Sequence, residues 1–125
     1  MATVNNTEGA EIGYNVEFIS QTYDFSATAA GDVIQMLNVQ NGTRVLEVSI
    51  TQAALGGTGT LIVGDGTDPN GYITSTNANT AETVKQNGAY AVGKEYTADD
   101  TIDVTVETAA VTGSITVMAT IVRTY

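Results

Sequence analysis

"DTIDVTVET" (residues 100–108) alternates without a break. Ile102, Val104 and Val106 point one way; Thr101, Asp103, Thr105 and Glu107 point the other. A two-residue period of this kind specifies a β-strand with one dry face and one wet face. After the small loop "AAVTG" (109–113), "SITVMATIVRTY" (114–125) repeats the pattern, with Ile115, Val117, Ala119 and Ile121 on one side. Its other side, Thr116, Met118, Thr120 and Val122, is less polar than a free surface and is expected to be covered by another sheet or another subunit.

Working back from this pair, the same grammar recurs. "VEFISQTYDF" (16–25) mixes β-branched and aromatic residues as strands do. "DVIQMLNV" (32–39), after the turn-like "ATAAGD", is apolar on both faces and reads as a central strand. Asn41-Gly42 in "QNGT" is a strong hairpin signal. In "RVLEVSIT" (44–51), Leu46, Val48 and Ile50 are expected on one face, with Val45, Glu47, Ser49 and Thr51 on the other. The glycine-rich "ALGGTGT" leads into "TLIV" (60–63), and "YIT" (72–74) follows. Residues 75–93 are least regular: "NANTAETVKQNG" fits a short helix capped by Asn79 or Thr80 and stopped by Asn87-Gly88, or a surface loop. Seven or eight short strands separated by turns predict an all-β antiparallel sandwich, with the jelly roll as one form of it. Residues 1–14, polar and acidic, read as an N-terminal arm or a short edge strand, and residues 15–125 as a single β-sandwich domain.

Composition narrows the chemistry. The 125 residues contain neither cysteine nor histidine, so disulfides, thiolate nucleophiles, Cys/His zinc sites and histidine-based general catalysis are excluded. Fourteen acidic residues face four basic ones, Arg44, Lys85, Lys94 and Arg123, giving a formal net charge of -10. Phosphate backbones and anionic lipid would repel such a chain, so no nucleic-acid or membrane partner is expected. The start of the chain has no signal-peptide pattern, and no stretch approaches the length of a membrane span, which predicts synthesis and retention in a cytoplasm until assembly.

The densest cluster of turn residues is "VGDGTDPNGYI" (63–73). A calcium loop starting at Asp65 would place Thr67, Pro69 and Thr76 where ligands belong, so the EF-hand pattern fails; a looser set of Asp65, Asp68 and Asn70 remains. The stretch lacks a Walker lysine and a third dinucleotide glycine. A polar connection between two strands fits best, with Pro69 and Gly71 setting the backbone. Asp99, Asp100 and Asp103 form a carboxylate group at a strand entry, where solvated side chains are more usual than a convergent acid pair. Tyr72, Tyr90 and Tyr96 are a conceivable sugar platform, though scattered tyrosines in a sandwich more often pack. No residue is assigned a catalytic, cofactor-binding or metal-ligating role, and the chain reads as a non-enzyme.

"GKEYTADDTIDVTVETAAVTGSITVMATIVRTY" (93–125), preceded by "LIVGDGTDPNGYI", resembles small β-sandwich structural proteins of tailed bacteriophage virions. The similarity spans roughly residues 60–125. It implies a virion location and a role as a capsid decoration (cement) protein, which binds the major capsid protein from outside, often as a trimer, and stabilises the shell. Tail, neck and head-fibre proteins share the architecture, and a carbohydrate-binding sandwich is the alternative from a different class.

Overall fold

Alternation is realised where it is cleanest. Ile102, Val104, Val106 and Val117 have no exposed surface in the computed structural model, and Ile115, Ala119 and Ile121 are nearly as enclosed. Burying each branched side chain is worth about 1.5–3 kcal/mol. The structure describes residues 16–123; the arm expected over residues 1–14 lies outside them.

The strands are β1 (Val16–Thr28), β2 (Val33–Val39), β3 (Thr43–Gln52), β4 (Thr60–Gly64), β5 (Ile73–Asn77), β6 (Glu82–Lys85), β7 (Lys94–Glu95), β8 (Asp100–Glu107) and β9 (Val111–Arg123). A 3-10 turn, Ala89–Val92, precedes β7. Every pairing is antiparallel. One sheet runs β1-β9-β3-β6, with β7 also paired to β3; the other runs β2-β8-β4-β5. We call them sheet A and sheet B. Apart from β4–β5 and β6–β7, each strand crosses to the opposite sheet from its predecessor. This is jelly-roll order, two Greek keys wrapped into a double sheet, and the fold class expected from the sequence is present. One buried apolar cluster, drawn from both sheets, fills the space between them.

Four local expectations are corrected. β2 is an edge strand of sheet B, not a central one. Its register shifts between Gln35 and Leu37, so Met36 and Leu37 are both buried: a bulge, and not two covered faces, explains the apolar run. Asn41-Gly42 makes a turn, with Thr43 N donating to Gln40 O and Gly42 at φ 88, but the flanking strands lie in different sheets. It is a corner between layers and no hairpin. In β3 a second bulge, between Val45 and Glu47, turns Val45 inward with Val48 and Ile50 and leaves Leu46 40% exposed. The Gln86 side chain bridges that bulge, accepting from Val48 N and donating to Leu46 O. Finally, the stretch read as a helix or loop at 79–88 contains β6, paired to β3 from Glu82 to Lys85.

Candidate functional site

The segment between β4 and β5 turns on Asp65. Its Oδ1 accepts from the backbone N–H of Thr67 (3.0 Å) and of Asp68 (2.9 Å), closing the turn locally. Asp68 O in turn accepts from Asp65 N and Gly71 N. Close folding needs a residue without a side chain at Gly64, where a Cβ would lie 2.0 Å from Asp68 O. Asp65 is only 3% exposed. Tyr96 donates to its Oδ2 at 2.9 Å and Tyr90 to its Oδ1 at 3.2 Å, while the Tyr96 and Tyr72 hydroxyls share a 2.6 Å bond. Tyr72 and Tyr90 meet edge to face at 5.1 Å, and Lys94 Nζ lies 4.8 Å from the Tyr90 ring centre and 5.6 Å from that of Tyr96. Burial, then the Asp65 charge, pushes the Tyr90 phenol up to about 12. Tyr72 and Tyr96 are raised further, burial again being the largest cause.

This arrangement is a clamp that fastens the β4–β5 connection to the 3-10 turn and to the segment that follows β7. It spends the Asp65 carboxylate on donors from the protein itself. Asp68 is half-buried and Asn70 exposed. Among the described residues no group of three or more acidic side chains is placed to hold a metal ion. The tyrosines do not form a platform either: Tyr72 is fully buried and Tyr96 nearly so.

Each strand-entry carboxylate accepts a hydrogen bond of its own, and Asp99 and Asp100 line one hollow with Asp65. Asp99 Oδ1 accepts from Asn41 N (2.8 Å), tying the entry of β8 to the corner turn. Asp100 Oδ1 accepts from Thr101 N. Asp103 points to the outside of sheet B but is 7% exposed, and it lines a hollow of about 250 Å³ with Val33, Asp65, Gly66, Pro69 and Thr105. Burial raises its pKa; a bond from Thr101 opposes this, and the charges of Asp100 and Asp65 add to it.

What the fold leaves unused is the outer face of sheet A. Phe18 is 81% exposed there, Val16 58% and Met118 42%. Phe18, Glu47, Ser49, Met118 and Thr120 line a shallow depression of about 80 Å³. Met118 and its neighbours on β9 were expected to need a cover. Phe18 was not singled out, although β1 is apolar at both parities, Val16 and Phe18 on one and Ile19 and Tyr23 on the other.

No protein-family model matches the sequence, and no curated protein matches it. Solved structures share the fold. A chain of the capsid asymmetric unit of cyanophage Pam1 superposes with a TM-score of 0.75 at 22% identity, covering 97% of this chain and 94% of that one. A chain of the capsid of Ralstonia phage GP4 gives 0.71 at 18% identity, with 95% and 91% covered. A chain of the acid-stable capsid of Helicobacter pylori bacteriophage KHP30 gives 0.62 at 12%, with 86% of each covered. At these identities the likeness is one of fold.

Proposed function

We propose that the chain is a non-enzymatic structural protein of a tailed-phage virion, and specifically a decoration protein seated on the outside of the capsid. The observation that carries the proposal is the near full-length match, in both directions, to a chain of a phage capsid. Charge supports an outer position: at -10 the chain would be repelled by packaged DNA. An exposed apolar patch on the outer face of sheet A, Phe18 with Val16 and Met118, supports assembly, since a fold gains nothing from leaving Phe18 in water. Its partners would be the major capsid protein and other copies of itself, with a trimer as the expected unit. It would be made in the host cytoplasm and carried in the virion. Residues 1–14 would serve attachment by adding a strand or lying in a groove of a neighbour. The test is to band phage particles and locate the chain by mass spectrometry and immunogold labelling. Label over the head, with particles lacking the chain opening at lower temperature, is the expected result. Label at the tail or neck would transfer the protein to that structure, and absence from full particles would end the virion reading.

A further inference from the structure

We infer that the outer face of sheet A, centred on Phe18 and Met118, is a docking surface for a second copy of this chain. This rests on the self-association part of the reading above and changes its form, since a two-fold contact closes at two copies and would join copies in pairs, apart from any trimer contact. The strand register sets out the face in rows. Val16, Val122 and Arg44 form one, with Glu95 beside Arg44; Phe18, Thr120 and Glu47 the next. Then come Ser20, Met118, Ser49 and Lys85, and after them Thr22, Thr116, Thr51 and Thr83.

Three properties suit this face to a copy of itself. The first is charge. Arg44 and Lys85 balance Glu47 and Glu95 within these rows, whereas ten acidic residues against two basic ones lie elsewhere among the described residues. Two molecules each carrying -10 can approach closely only where the local charge cancels. The second is desolvation. In the threonine row the hydroxyls already bond in pairs, Thr22 to Thr116 at 2.8 Å and Thr51 to Thr83 at 3.1 Å, so water can leave with less loss of hydrogen bonding. The third is self-complementarity. Glu47 and Lys85 sit in adjacent rows, as do Phe18 and Ser20. A two-fold axis across the strands, between those rows, lays Lys85 of each copy beside Glu47 of the other and Phe18 over Ser20, base to acid and large to small. Four strands about 4.8 Å apart and four rows about 6.8 Å apart make roughly 500 Å² per copy. The sum for two copies, about 1,000 Å², is at the lower end of specific interfaces, so association is expected at micromolar concentrations.

Sedimentation of the purified full chain tests this without any capsid present, so its failure would leave the virion assignment standing. The wild-type chain should sediment as an assembly at tens of micromolar, and Phe18→Asp should raise the dissociation constant at least about tenfold. Because Phe18 is already in water, the variant should keep its far-UV spectrum and melting temperature. Glu47→Lys and Lys85→Glu should each weaken association about threefold to tenfold, and the double variant should restore it. Only a partner carrying both changes, meaning a second copy, gives that rescue. A wild-type chain that stays monomeric, or a Phe18→Asp chain that assembles as wild type, would overturn the inference. So would a double variant no better than the singles, which would assign the face to a different partner.

Discussion

Asp65, Tyr72, Tyr90 and Tyr96 are separated by up to 31 positions, yet one carboxylate joins them. Removing one hydroxyl should therefore be felt by two partners. Tyr96→Phe keeps the ring but leaves Asp65 short of a donor and the Tyr72 hydroxyl without its bond; urea unfolding should show a loss of about 1–3 kcal/mol. Unchanged stability would mean that the clamp does not hold the connection. Asp103 makes the opposite case. Burial raises its pKa in the fold, so its contribution to stability is full below the unfolded value near 3.9 and is lost as pH rises through the folded value. At neutral pH the ionised group is a cost. Asp103→Asn should melt higher than wild type at pH 7, with the gap closing near pH 3. An equal gap at both pH values would locate the effect in packing and not in charge.

Elements read easily from sequence where the chain is regular and poorly where one residue is inserted. β8 and β9 alternate without interruption, and their inward residues Ile102, Val104, Val106, Ile115, Val117, Ala119 and Ile121 were legible; Val111, read as part of a loop, is the buried first residue of β9. β2 and β3 each carry a bulge, and a bulge reverses the face of everything beyond it; hence Leu46 was expected inside and Val45 outside. β6 has too few residues to show a period. It is a strand because β3 offers it an edge, which is information from more than thirty residues away. The turn character of the Asp65 segment was legible, whereas the tyrosines that close over it were not, since nothing local marks a long-range hydroxyl partner. Two glycines of that segment separate space from mere composition. Gly64→Ala would drive a Cβ to 2.0 Å from a backbone oxygen and should cost more than about 2 kcal/mol, whereas Gly66→Ala meets nothing nearer than 3.6 Å and should stay within about 0.5 kcal/mol. Comparable melting of the two would refute the packed geometry of the loop. The proposed arm is tested by deleting residues 2–13: the truncated chain should melt as wild type but lose attachment to particles, and an unfolded product would make the segment part of the sandwich.

At the scale of the whole molecule, two sheets close over one apolar core. Thermal midpoints in EDTA and in excess calcium should agree; a shift of about 5 °C, roughly 1 kcal/mol or more, would return Asp65, Asp68 and Asn70 to consideration as ligands. The order of strands has one more effect. β9 stands between β1 and β3, and β8 between β2 and β4, so strands made after all the others of the sandwich supply the middle of both sheets. Until residue 100 has been translated, β1 and β2 have no neighbour to pair with, and the nascent polypeptide can form little beyond the β4–β5 hairpin and the β3–β6 ribbon. Folding of the sandwich therefore waits until β9 has been made. A product cut short by a nonsense codon or a stalled ribosome has no sandwich to present, and proteases meet it as an open chain. The topology acts as a check on length: a copy can close its sandwich only after the messenger has been read through β9.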